Sequence, residues 1–313
     1  MDHQTRRGFC RLSIIFMGLV GSMLLGPGPG LPWGPSTHAF VAKEALDVGT
    51  RPVAGYHLRM GALVPDFFWY LSEVGIIDHH TALTLHGVTT EAEVVPETTY
   101  FYDLALGELG PGNLYLLPFV EGIRTHVYAD IKAHNGEAGY LEGPGMWVDV
   151  LQHKTGIETR YALHRALETA VDSLLVHEAG LQISDLAFSL SQALFLEQVM
   201  ITSFHDLGLE INFDVRLELS RYLALMRMLE RLCWMYAPYL IEGKVDERFL
   251  VRAAAERFSN EGRALSEAGL DVYLETLIVL LKWPREIYDT LNTEGMNWIL
   301  DAFPETIAFC KTR

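Results

Sequence analysis

The sequence predicts an all-α fold, a multi-helix bundle. Three observations point there. Beyond the N-terminal region, long stretches of the 313-residue chain carry neither glycine nor proline. Apolar residues recur at helical spacing, as in Leu116, Phe119, Val120, Ile123 and Val127, which would share one helix face. Strand signals are almost absent: no Asn-Gly or Asp-Gly turn lies between alternating runs, and no repeat of fixed period is visible.

The first 32 residues are expected to lie outside the fold. Thr5-Arg6-Arg7-Gly8-Phe9-Cys10-Arg11 is basic and carries a twin-arginine pattern, and the 15 residues 12–26 are apolar. A membrane span needs roughly 20 such residues, so the segment reads as an export signal of the twin-arginine type. An uncleaved N-terminal anchor is the alternative. One all-α domain is expected over 33–313. Thr37 is a candidate cap for a helix through His38, Val41, Ala42, Ala45 and Leu46. A second helix is expected over 57–63, ending at Val64-Pro65-Asp66, because proline biases the residue before it away from helix. A short amphipathic helix follows at 98–107, and Gly110-Pro111-Gly112 breaks it. A long helix is expected at 114–134, a glycine-rich loop at 135–145 and another helix at 159–176. Further helices are expected near 183–206, 213–239, 246–267, 270–290 and 294–310. Residues 274–283 are apolar enough for a central buried helix.

Half of the chain is hydrophobic and a fifth is charged, so a sizeable core is expected and disorder is not. The net charge is −16, and the basic leader makes the remainder more acidic still. That argues against a basic nucleic-acid-binding patch. Cys10 lies in the leader, leaving Cys233 and Cys310, which an oxidising compartment would permit to pair but nothing requires to. No CxxC motif is present, so a thiolate metal site is not expected.

Histidines and carboxylates dominate the chemistry. His126, Asp130 and His134 are spaced four apart, which on a helix confines them to about 80° of arc. His164 and Glu168 repeat the device. His38, Asp66 and His86 lie upstream. Imidazole nitrogens and carboxylate oxygens on facing helices are how a helical protein builds a multinuclear metal site in a cleft. A polar helix face with a His–Asp hydrogen bond is the plain alternative. His57, His153, His177 and His205 read as ordinary surface or satisfied core residues.

Trp33-Gly34-x-x-x-His38 followed by Ala-Phe-Val-Ala, Gly61-Ala-x-x-Pro65-Asp66, Leu85-His86, Gly122-x-x-x-His126-x-x-x-Asp130-x-x-x-His134, and His164-x-x-x-Glu168 with Val171-Asp172 occur in that order. Together they resemble the zinc-dependent phospholipase C family and, beyond it, the related single-strand-specific zinc nucleases. The resemblance covers about residues 33–176. It implies an exported, periplasmic or extracellular, zinc-dependent phosphodiesterase that hydrolyses phospholipid headgroups, with transient membrane-surface contact. A nuclease-type phosphodiesterase and a non-catalytic metal-binding scaffold are the alternatives.

The same resemblance implies two or three Zn²⁺ ions. Asp66, His86, His126 and Asp130 would hold one; His134, His164 and Glu168 a second; His38 and the Trp33 main chain a third, with Asp130 bridging to the first. Asp66 would double as general base. His79 and His80 stand close to His86 as alternative ligands. Two departures matter. Cleavage before Trp33 would leave Pro32 at the scissile position, a poor small-residue site. Asp130 and His134 are four apart where the best-known relatives have six. The aromatic run Phe67-Phe68-Trp69-Tyr70 is either a wall for a lipid headgroup or core packing.

Overall fold

The computed structural model describes residues 34–45, 52–87, 99–135, 147–157, 160–179, 186–242, 279, 283, 285–287, 289–290 and 296–312. The leader, Trp33, residues 136–145 of the expected loop and the helix expected at 246–267 lie outside the described residues, as do two thirds of 270–290, while Asn135 is helical. Among the described residues every regular element is a helix: α1 (Pro35–Ala45), α2 (Pro52–Gly61), α3 (Val64–Glu73), α4 (His79–His86), α5 (Tyr100–Gly107), a 3-10 turn (Pro111–Leu116), α6 (Leu117–Asn135), α7 (Trp147–Thr155), α8 (Arg160–Ala179), α9 (Leu190–Asp206), α10 (Val215–Glu242) and α11 (Met296–Thr312). The all-α expectation therefore holds. No described helix is long and apolar enough to cross a membrane.

Local chemistry explains most boundaries. Asp78 caps α4 by accepting from the Thr81 N–H at 3.0 Å, and Gly87 ends it with a left-handed φ of 90°. Ser189 and Gln192 form a reciprocal capping box at the start of α9. Two expectations need correction. The helix expected over 57–63 runs instead from Pro52 to Gly61, and Pro65 does more than follow its end: it sits in the first turn of α3, where its missing N–H costs nothing. Thr37 is not a cap either. It lies inside α1, and its backbone N–H and hydroxyl both donate to Asp172 of α8, at 2.9 and 2.7 Å.

Helix α6 runs through the centre, with α1, α2 and α11 against it, while α8 packs along α10 and also meets α1. The crossing of α2 and α6 is unusually close. A Cβ on Gly61 would lie 1.8 Å from the Phe119 carbonyl oxygen, and one on Gly122 would lie 2.1 Å from that of Leu58. Only glycine fits at either position. The core under this crossing holds Phe67, Phe68, Phe119, Ile123 and Tyr222, all essentially without solvent contact. Trp69 and Tyr70 are buried too, so the aromatic run after Asp66 is core packing rather than a wall open to a headgroup. Cys233 and Cys310 are both free thiols, each directed at a carbonyl, Thr169 and Thr125 respectively. Burial raises both thiol pKa values, that of Cys310 to about 12.

Candidate metal centre

The break between α2 and α3 builds the first part of the site. Ala62 and Leu63 form the turn between the two helices, and side chains from elsewhere take their carbonyls: Tyr222 Oη donates to the Leu63 carbonyl at 2.7 Å, and His126 Nδ1 lies 2.7 Å from the Ala62 carbonyl. A carbonyl only accepts, so Nδ1 of His126 carries the proton. Its Nε2 is thereby presented to the cluster, the usual device for orienting a ligand imidazole. The two-glycine crossing matters because it brings Ala62 within reach of His126.

Four helices then converge. His38 comes from α1, Asp66 from the first turn of α3, His86 from the end of α4, and His126 and Asp130 from α6; none is more than 4 % exposed. Asp130 stands at the centre. Its Oδ1 is 3.1 Å from His38 Nε2, while its Oδ2 is 3.2 Å from His126 Nε2 and 3.4 Å from His86 Nε2. Asp66 Oδ1 lies 3.6 Å from His86 Nε2 and 3.9 Å from His126 Nε2. The rings of His38 and His126 stack with centroids 3.5 Å apart, and His86 meets His126 edge-on at 5.0 Å. Two groups of potential ligand atoms result, His38–His126–Asp130 and Asp66–His86–His126.

The donor set fits a cation. Asp66 Oδ1, His86 Nδ1 and both oxygens of Asp130 are buried without a hydrogen-bond partner. The Nε2 atoms of His86 and His126 face each other at 3.1 Å. Two buried carboxylates aimed at imidazole lone pairs need positive charge between them, or they stand uncompensated in a low dielectric. In the metal-free protein a proton on His126 does part of this. Burial opposes that proton, but the Asp130 and Asp66 carboxylates outweigh it and raise the His126 pKa. His86, where burial dominates, is pushed down and stays neutral. Burial also works against ionised Asp66 and Asp130, yet the imidazoles hold both carboxyls below the ordinary range.

Of the nine residues the sequence proposed, the structure therefore brings five together. Glu168 and His164 are also buried and close on each other at 2.8 Å on α8, but they join neither ligand group among the described residues. Trp33 and the side chain of His134 lie outside the described residues. The choice among neighbouring histidines falls to His86: His79 packs against Trp69, and both His79 and His80 are exposed. His57 is held by Gln192 at 2.9 Å, and His153, His177 and His205 are exposed, as ordinary residues would be. Sequence reasoning missed the supports: Ala62, the glycines at 61 and 122, and the capping role of Asp172. A glycine four residues before His126 and another four before His38 were the available signals.

Compared with protein-family models, curated proteins and solved structures, the chain finds no match in any of the three.

Proposed function

We propose that this protein is an exported, zinc-dependent phosphodiesterase that acts on phospholipid headgroups in the manner of a phospholipase C. The observation that carries the reading is Asp130, whose two oxygens face different imidazoles, His38 on one side and His86 with His126 on the other. That is the placement of a carboxylate shared between two ions. Nitrogen and oxygen donors without sulfur suit zinc. In this reading Asp66, His86, His126 and Asp130 would hold one ion, since His126 has a single free nitrogen and serves only one; His38 with Asp130 would contribute to another, and His134, His164 and Glu168 would supply a further ligand set.

Zinc bound there supplies Lewis acidity toward phosphoryl oxygens and makes water nucleophilic near neutral pH. The chain's own contributions are separate. Asp66 stays ionised and keeps an unpartnered oxygen, so it can accept the proton of an attacking water. Ala62 holds His126 in one tautomer, and Trp69 packs on the His86 ring at 5.4 Å and restrains it. Phospholipid is the proposed substrate because the acidic chain lacks the charge balance of a nucleic-acid binder and because the Gly61-Ala-x-x-Pro65-Asp66 stretch resembles the bacterial phospholipase-like branch.

One observation favours a second reading. The five-residue cluster is enclosed, and structural metal sites are closed whereas catalytic ones keep an open position. A non-catalytic metal-binding protein is the alternative on that ground. Metal content of the purified protein, and phosphorus release from phosphatidylcholine and from single-stranded DNA with and without chelator, separate these. Chelator-sensitive release from the lipid supports the proposal. Release from DNA alone assigns a nuclease, and bound zinc without either activity assigns the scaffold. Full activity in a His126→Ala variant removes the assigned site.

A further inference from the structure

Helix α1 begins without a cap of its own. Its N-cap position is Gly34, whose carbonyl accepts from the His38 N–H at 3.1 Å, and Pro35 opens the first turn. Ser, Thr, Asp or Asn at an N-cap would accept from the N–H groups of the second and third helical residues. Here those groups belong to Ser36 and Thr37, and both donate to Asp172 of α8: Ser36 N to Oδ2 at 3.0 Å, Thr37 N to Oδ1 at 2.9 Å. The Thr37 hydroxyl adds a third bond, to Oδ1 at 2.7 Å. The space a capping side chain would occupy is filled by that carboxylate, since a Cβ on Gly34 would lie 2.4 Å from Asp172 Oδ2. The cap is thus divided between two segments. Gly34 provides the backbone and the room, and Asp172 provides the acceptor from 138 residues away.

We propose that Asp172 is a positioning residue for the metal centre, fixing the end of α1 that carries His38. The inference rests on the metal-centre reading above. His38 sits one turn beyond Gly34, stacked on His126 and facing Asp130 Oδ1. Asp172 lies one turn beyond Glu168 and is itself 3 % exposed. It therefore ties α1 to α8, the helix that bears His164 and Glu168. Burial pushes the Asp172 carboxyl up to about 7 although the bonds from Thr37 and Ser36 oppose this, so the cap is carried by those hydrogen bonds rather than by charge. Such outer partners of a ligand typically matter by roughly 10–100-fold in metal affinity when removed.

The division of the cap supplies its own test. Asp172→Ala removes the acceptor, and Gly34→Asp in the wild-type background collides with Asp172. Combined, Gly34→Asp and Asp172→Ala return an acidic cap to α1 from within the helix, in the space the second change vacates. Full-length protein stripped of metal is titrated with Zn²⁺ against a chromophoric chelator, and with Co²⁺ to read its visible spectrum. In the same metal-free samples the His38 imidazole resonances, shifted by the stacked His126 ring, report where His38 lies. Asp172→Ala is expected to weaken one ion by roughly 10–100-fold and to move the His38 resonances toward free-imidazole values. The double variant is expected to recover most of both. Unchanged titration and unchanged His38 resonances in Asp172→Ala overturn the proposal, as does a double variant no better than Asp172→Ala. Wild-type protein that takes up no metal overturns the functional reading instead, and the His38 resonances then decide alone whether Asp172 holds α1 in place.

Discussion

The Nδ1 of His126 and the carbonyl oxygen of Ala62 lie 2.7 Å apart, beside the close crossing of α2 and α6 at Gly61 and Gly122. This one bond joins the packing of the fold to the chemistry of the site. It sets the tautomer of His126, and its length depends on how closely α2 and α6 approach.

Substitution of either glycine at that crossing should therefore damage both. Gly61→Ala places a Cβ against the Phe119 carbonyl, and Gly122→Ala places one against that of Leu58. Overpacking against backbone should cost at least the upper part of the about 1–3 kcal/mol range usual for such changes. Denaturant unfolding measures the loss. The surviving folded protein should also take up less metal, because Ala62 is pushed away from His126.

Metal stoichiometry should separate the roles of the ligands. Asp130 faces both ligand groups, so Asp130→Ala should abolish tight binding of both ions. His38→Ala should spare the group formed by Asp66, His86 and His126, and so lose one ion fewer than Asp130→Ala. Elemental analysis after dialysis reads these counts. Equal losses in the two variants would contradict a shared carboxylate.

Metal affinity should rise with pH through the neutral range. The folded pKa of His126 lies above its unfolded value of 6.5, because Asp130 and Asp66 outweigh the effect of burial. The protonated imidazole thus stabilises the metal-free fold fully below 6.5, and that contribution is lost as pH rises through the folded value. A metal must displace this proton, so binding releases it and weakens as pH falls. The gap between the melting temperatures of metal-loaded and stripped protein should be wider at about pH 8 than at about pH 6. A gap that narrows with pH would contradict the assignment of His126.

Tyr222→Phe should cost about 1–3 kcal/mol, since it leaves the buried Leu63 carbonyl without its 2.7 Å partner. The ring packing on Phe67 and Tyr70 is retained, so the measured loss reports the hydrogen bond. Chemical denaturation with an unchanged m-value checks it. A neutral result would mean that another donor reaches Leu63.

Much of this was legible in the chain. Helical periodicity located α6 and α8 to within a few residues, because their apolar stripes are long and regular. It gave no helix at α3 or α4; in α3 Phe67, Phe68, Trp69, Tyr70 and Leu71 are buried in succession and leave no polar face to set a period. Pro65 marked a real break, but not the helix that follows it: proline closes one helix and opens the next with equal ease, and only the flanking structure decides which.

The order of residues alone is enough for the helical class and for the kinds of candidate ligand. Both follow from short-range rules: the 3.6-residue turn puts His126 above Asp130 and His164 above Glu168 wherever those helices pack. The tertiary structure alone decided which residues meet. That His38 stacks on His126, that Asp130 divides its oxygens among three imidazoles, and that Asp172 caps a helix 138 residues earlier are contacts between segments distant along the chain. No spacing encodes them, because they depend on the angles and separations at which helices cross. The glycines at 34, 61 and 122 show how closely those crossings are set.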